Sequence, residues 1–516
     1  MVVNQRASSS RPVQEPVDKG LRGSAIGLLS SVVIGLAATA PAYSITATLG
    51  FVVIAVGLHA PAVLLLAFFP MMAIAVAFSQ LNRDDPDCGT TFTWGTRTFG
   101  PWVGWMGGWG MTFAAVIAMA YLAGIAGQYF FLLFGADDLA GSRGWVAVVG
   151  VAIISLMTVV CYRGIRISAK LQFVLFGIEA VMLVVFSLVA LVKVYSGNAP
   201  AGSTHPTMTW LNPFQTGGVS AFTAGLLLAL FIYWGWDSSV SINEETTDRH
   251  VNPGRAAVIA TVALLALYLL TTTAAQAYGG GSSKGLGLAN PHTATDVLAT
   301  LGDSVLGGTL NKLLILATFS SAIGALQTGI LPAARTTLAM STYKALPSAF
   351  GRMSTQFQSP SVSTAFIGGS TAVLFVLGTF IADGRVQWDS IAAIGLLIAF
   401  YYGLVGYTSV WYFRRDLRNS TKDLLLKGVI PLAGALTLTG AFLKSAWEMR
   451  KADYGYTSFH GIGGVFLLGI GTLVVGVLVM VAFAMIRPAF FRGEFGPGEV
   501  PTDELRTDLP TRRTVG

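Results

Sequence analysis

Twelve apolar stretches, each of about the length that crosses a bilayer, govern what this chain can fold into. A helix needs about 20 apolar residues to span a hydrocarbon core of ~30 Å. The stretches run over 24–52, 60–81, 102–134, 144–162, 171–195, 219–246, 254–278, 310–343, 362–382, 388–413, 424–447 and 460–486. Lipid offers no partner to a backbone N–H or C=O, so each stretch must satisfy its own hydrogen bonds as a helix. Only 11% of the 516 residues are charged, against roughly 25% in a soluble domain. The expected fold is therefore an all-α integral membrane protein with 12 transmembrane helices.

The placement of the charges carries more information than their sum of +7. With the amino terminus inside, 24 of the 32 Lys and Arg residues fall on the cytoplasmic side and 8 outside. This positive-inside bias predicts a multi-pass protein of the cell (plasma) membrane with cytoplasmic N- and C-termini. The basic pI thus reports topology, and no nucleic acid partner is expected. Residues 1–23 form a polar N-terminus without a cleavable signal pattern, and 487–516 a polar cytoplasmic tail. Cys88 and Cys161 both fall on the cytoplasmic side, where disulfides are rare, and two free thiols are expected.

Two stretches differ from the rest, and they stand five spans apart. In the first, Gly35-Leu36-Ala37-Ala38-Thr39-Ala40-Pro41 sets small residues and a proline near mid-membrane. Pro41 lacks a donor and disfavours helix in the residue before it, which predicts unwinding over Ala38 to Ala40. In the sixth, Gly235 lies at matching depth within Tyr233-Trp234-Gly235-Trp236-Asp237. Pro and Gly kinks are common in membrane helices as packing devices, but a matched pair of interruptions points to a transport site. The expected organisation is a first inverted repeat over 24–195, an extracellular loop over 196–218, a second repeat over 219–413, and two additional C-terminal helices over 414–486.

Phe231-Ile232-Tyr233-Trp234-Gly235-Trp236-Asp237, followed by Glu244-Glu245 and Asn252-Pro253-Gly254-Arg255-Ala256, resembles the sixth-span signature of the amino acid–polyamine–organocation (APC) superfamily. Leu81 to Trp94 resembles that family's loop after the second span, and Arg335 with Ala345-Leu346-Pro347 the loop after the eighth. The resemblance covers about residues 24 to 415. It implies an amino acid permease with the five-plus-five inverted-repeat (LeuT-like) fold and a substrate held between the broken first and sixth helices. The chain departs in a longer spacing from Glu245 to Asn252-Pro253, and in an Ala-Ala-Thr-Ala-Pro-Ala-Tyr run where a Gly-Ser-Gly-like run is commoner.

An amino acid presents a carboxylate and an ammonium. Free amides where a half-helix begins suit the first, and carbonyls where one ends suit the second. Ala38, Thr39, Ala40 and Pro41 form the candidate cradle; the Thr39 hydroxyl reaches a substrate or bonds only its own backbone. Tyr233, Trp234 and Trp236 flank the second break, where an aromatic can gate the site or stack on a cation, with Trp234 preferred. Asp237 can pair with an amine or tie the unwound backbone to a neighbouring helix.

Glu179 is the second isolated acid at mid-membrane, and Ser320-Ser321 resembles a hydroxyl pair that holds sodium in related folds. In several proton-coupled relatives a Lys stands where Glu179 does. Three roles are open to Glu179: carrying a proton, ligating sodium with the serines, or pinning the fifth helix to the first. Glu244, Glu245, Asp248 and Arg249 lie where partners could be exchanged with Arg83, Arg97, Arg163 or Arg335, or where a loop is simply solvated. The five His residues show no ligand spacing, and no metal site, cofactor motif, phosphate-binding loop or catalytic triad is present, so no enzyme is expected. The leading expectation is secondary active transport of an amino acid by proton symport and alternating access. A polyamine or organic-amine transporter, an amino acid/amine antiporter and an amino acid-sensing membrane receptor are the alternatives.

Overall fold

The computed structural model describes residues 17–494. Residues 1–16 of the expected N-terminal tail and 495–516 of the expected C-terminal tail lie outside the described residues. In chain order the helices are α1 (Leu28–Ala38), α2 (Pro41–Val56), α3 (Ala60–Asp84), α4 (Thr91–Phe99), α5 (Pro101–Leu133), α6 (Asp137–Ala140), α7 (Arg143–Tyr162), α8 (Ile165–Tyr195), α9 (Val219–Ile232) and α10 (Ser238–Ser241). They continue as α11 (Asn252–Gly279), α12 (Pro291–Thr295), α13 (Val297–Leu306), α14 (Gly308–Thr342), α15 (Ser361–Phe380), α16 (Arg385–Tyr412), α17 (Thr421–Asp423), α18 (Ile430–Met449), α19 (Gly464–Ile486) and α20 (Pro488–Phe491). Among the described residues the only sheet is a hairpin pairing Ser458–Phe459 with Ile462–Gly463.

Among the described residues, nine helical segments are long and apolar enough to cross a membrane. Two of them, Leu28–Asp84 and Ser361–Tyr412, run through breaks. Several helices start at a proline, whose missing N–H would have had no partner in the first turn; Pro41, Pro101 and Pro253 stand there. The central pair is α5 and α14, which pack along much of their length. Small residues permit this: a Cβ at Gly329 would stand 2.8 Å from the Met119 side chain, and one at Gly108 3.0 Å from Met340. In lipid such close packing is a main source of helix association.

The first apolar stretch becomes helical at Leu28, later than its apolar boundary at 24. The Ala25 and Ile26 amides instead donate to the Glu245 carbonyl at 2.8 and 3.2 Å, and Ile26 bridges Thr246. This extended segment fastens the start of the first stretch beside the end of the sixth.

Candidate functional site between two broken helices

The first break follows from Pro41. Ahead of it, Ala40 takes left-handed backbone angles (φ 46°, ψ 61°), and the Thr39 and Ala40 amides fold back onto the Leu36 and Ala37 carbonyls. L-residues visit that region only at a cost, so the surroundings must hold it. In the second break α9 ends at Ile232, and regular helix resumes only as the single turn α10. Gly235 between them has φ 125°, and a Cβ there would lie 2.5 Å from the Ala38 carbonyl oxygen. Only glycine lets the two breaks touch.

Each break is tied to a distant helix through a carboxylate. Glu179 on α8 is 1% exposed; its Oε1 accepts from the Ala42 amide and from the Ser321 hydroxyl of α14, both at 2.6 Å. Ser321 in turn accepts the Tyr43 amide at 3.2 Å. Asp237 accepts from the Tyr402 hydroxyl at 2.9 Å and the Tyr401 hydroxyl at 3.0 Å, both on α16, and the Trp234 indole N–H donates to Tyr401 at 2.5 Å.

Two small cavities of about 30 and 20 Å³ lie against the breaks and share Ala38, Ala118, Leu122, Trp234 and Ala325 as walls. Each has room for a water molecule or two and not for an amino acid. A larger recess of about 810 Å³ between α5, α15, α16 and α19 is lined without a charged side chain and shares Tyr121 with the smaller cavity.

A family profile described as an amino acid permease matches residues 24–446. The chain belongs to the amino acid permease family of the APC superfamily. It is similar to an arginine/ornithine antiporter of Lactococcus lactis subsp. cremoris (21% identity, 71% of this chain and 74% of the relative). It is also similar to a low-affinity putrescine importer of Escherichia coli K12 (23%, 80% and 86%) and to a branched-chain amino acid permease of L. lactis (23%, 77% and 82%). Its relatives are membrane transporters of small molecules, amino acids and amines among them.

Within this permease the expected site residues divide. Ala38, Thr39, Ala40, Trp234, Gly235 and Asp237 line the two cavities, and Pro41 opens α2 beside them. Tyr233 packs against Phe68 and Tyr268, and Trp236 against Phe78 and Tyr402, both fully buried. The Thr39 hydroxyl bonds its own helix, at Leu36 O, 2.8 Å away. The amides opening α2 are occupied: Pro41 has none, Glu179 and Ser321 take the next two, and Ser44 bonds Ala40 O. Ser320 donates to Ala317 O at 2.9 Å and Leu175 O at 3.4 Å, away from the carboxylate that Ser321 serves.

The pattern of residues did not single out Tyr401, Tyr402 or Lys19. The adjacent tyrosines of α16 were a visible signal without an assigned partner. Lys19 lies fully buried between Asp87 at 3.0 Å and Glu244 at 2.6 Å. Around it Arg97 pairs with Asp85 at 2.5 Å, the Tyr343 hydroxyl donates to Asp87 at 2.6 Å, and Arg335 grips Glu245 with two bonds of 2.6 and 3.0 Å. Burial alone would raise the Asp87 carboxyl; Lys19 and Arg97 outweigh it and hold the group below the ordinary carboxylate range. Burial would lower the Lys19 ammonium, but Asp87 and Glu244 reverse this and raise it well above the usual lysine value. Asp87, Cys88 and Glu244 also form a cluster of potential metal donors, and the Lys19 ammonium already supplies the positive charge there.

Proposed function

We propose that this permease is a proton-coupled symporter carrying an amino acid across the plasma membrane by alternating access between the two broken helices. The observation that carries the reading is the Glu179 carboxylate bridging α8, the first turn of α2 and α14. An ionised carboxylate only accepts; once protonated it must also donate. Proton uptake therefore weakens its hold on the Ala42 amide and frees α2 to move. Trp234 stands in the wall common to both cavities and serves as the gate, while Tyr233 and Trp236 support it from the packed side. Asp237 acts as the tie to α16.

The architecture we propose has twelve spans, with Leu28–Asp84 and Ser361–Tyr412 each counting as two and α9 with α10 as one broken span. Spans 1 to 5 and 6 to 10 are inverted repeats, the last two are additions, and the Lys19 end faces the cytoplasm. The bias of Lys and Arg toward that side supports the orientation.

The test is uptake of radiolabelled amino acids and amines into liposomes bearing the purified protein, with and without an inward proton gradient. The wild type is expected to accumulate an amino acid only with the gradient, and Glu179→Gln to lose that response. Similarity to an arginine/ornithine antiporter favours exchange as the second reading. Gradient-independent exchange that survives Glu179→Gln would establish it and remove Glu179 from coupling.

A further inference from the structure

The smaller of the two cavities, about 20 Å³, is walled by four aromatic rings: Tyr43 of α2, Tyr121 of α5, Phe231 at the end of α9 and Trp234. Its other polar groups are spoken for, since Thr39 bonds Leu36 O and the Ser44 hydroxyl bonds Thr39 O at 2.7 Å. Two are not. The hydroxyls of Tyr43 and Tyr121 are buried, at 2% and 4% residue exposure, and face no hydrogen-bond partner but each other. The rings stand 5.9 Å apart at 55°. Buried polar groups are nearly always satisfied, and a hydroxyl pair that meets only itself leaves lone pairs at the cavity wall free for a ligand.

The chemistry of the walls selects the ligand. Ring faces carry negative quadrupole charge and draw a cation, while tyrosine oxygens accept from N–H. No acidic side chain lines this cavity, so a cation entering it is bound by rings and hydroxyl oxygens. Farther along α5, Tyr129 donates to Asp296 at 2.7 Å, which sets a carboxylate beyond the tyrosines toward that end of the molecule. An anionic side chain would meet ring faces and this acid, and is disfavoured.

We infer that Tyr43 and Tyr121 form a subsite for a terminal ammonium or guanidinium on the substrate's side chain, which makes cationic amino acids the preferred cargo. The inference rests on the proposed reading of this cavity as the substrate site. When the cavity widens to admit substrate, the two hydroxyl oxygens accept from the terminal N–H groups and the rings enclose the charge. The tyrosines therefore determine specificity and take no part in ion coupling.

L-Ornithine and L-norvaline, which share a carbon chain and differ by the terminal amine, separate the possibilities. Binding and uptake of each are measured on purified protein in liposomes for wild type, Tyr43→Phe, Tyr121→Phe, the double variant and Trp234→Ala. The wild type is expected to favour ornithine. The double variant should lose roughly ten- to a hundredfold of ornithine affinity, as expected for hydrogen bonds to a charged group, while norvaline stays within about twofold. Norvaline bound as well as ornithine by the wild type, no ornithine binding at all, or equal losses for both in the double variant would overturn the inference. Trp234→Ala reports on the underlying reading. If it leaves uptake of every substrate intact, the cavity is not the substrate site; if it abolishes uptake while the Phe variants keep wild-type preference, only the subsite is wrong.

Discussion

The two ends of the molecule are shut by different physics. At the Lys19 end the closure is ionic and dry: Lys19 with Asp87 and Glu244, Arg97 with Asp85, and Arg335 with Glu245 join the N-terminal segment, the α3–α4 loop, α14 and the end of the sixth stretch. At the Asp296 end the contacts are single hydrogen bonds, two of them to the charged groups Asp296 and Lys193. Tyr129 bonds Asp296, Lys193 and Tyr278 bond Ser304, Gln276 bonds the Leu58 carbonyl, and α12 lies against α2 where Gly50 meets Ala294. Removing one partner of a buried ion pair leaves the other charge without compensation, whereas losing one hydrogen bond costs about 0.5–1.5 kcal/mol, or about 1.5–3 kcal/mol to a charged group. Single substitutions are therefore expected to weaken the ionic end more than the Asp296 end. Under the proposed reading, substrate or proton binding next to α1 and α2 would supply the free energy that opens the ionic end.

The two-bonded part of that asymmetry is Arg335 with Glu245, each 1% exposed. Glu245→Ala strands a guanidinium in the protein interior and should cost about 3–5 kcal/mol, whereas replacing both partners by apolar residues of similar volume should recover much of it. Thermal unfolding in detergent of Glu245→Ala and of the double variant Arg335→Met with Glu245→Leu measures both. If the single variant melts with the wild type, the ionic end is not the stronger closure.

Lys19→Met comes next, at about 1.5–3 kcal/mol for the loss of charge-assisted bonds. Asp87 keeps Tyr343, Thr93 and the Gly89 amide, so the damage is partial. Cys88 is a built-in reporter: it is buried and its amide donates to Glu244 at 2.9 Å. With Cys161 replaced by Ser, Lys19→Met should raise the labelling rate of Cys88 by a thiol reagent roughly tenfold or more. An unchanged rate would detach the N-terminal segment from the closure. The Asp296 end has its own probe in Gly50→Ala, whose Cβ would fall 2.2 Å from the Ala294 Cα. Such overpacking costs about 1–3 kcal/mol. It should slow transport while leaving Cys88 labelling at the wild-type rate.

How far this was legible in the residues depends on the range of the interaction. The apolar stretches needed only the solvent argument, and Pro41 and Gly235 marked both breaks because a missing donor and a missing Cβ act locally. Glu179 and the serines stood out as polar groups in lipid, but which hydroxyl serves the carboxylate depends on how α14 is rotated against α8; it is Ser321, and Ser320 turns to backbone. Nothing local separates Trp234 from Tyr233 and Trp236, since the unwound backbone sets their directions. Lys19 was invisible for the plainest reason: it belongs to a polar tail, where lysines are usually solvated, and its partners lie 68 and 225 residues away. Arg335 was among the candidate partners for the glutamate pair, and the structure places it on Glu245.

The smallest expected effect is the most discriminating. Asp87 is held below its ordinary value of 3.8, so its contribution to the closure is present above that value and is lost only as pH falls through the lower one. Lys19 is held above 10.5, so its contribution is present below that value and is lost only as pH rises through the higher one. Between about pH 5 and 9 both groups stay ionised in either state, and linkage then predicts no change in the strength of this pair. Asp85, pushed up to about 7 by burial against the pull of Arg97, is the member of the closure that titrates in that window, so Cys88 labelling, corrected for the intrinsic pH dependence of the reagent on a freely exposed cysteine, should be flat except for any change centred near pH 7. Uptake, under the symport reading, should not be. A flat closure beside a pH-dependent flux would place the titrating group away from the Lys19 end, at the broken helices where Glu179 sits. A closure that itself loosens toward pH 5 would make the ionic end the proton sensor and leave Glu179 as the pin between α8 and α2.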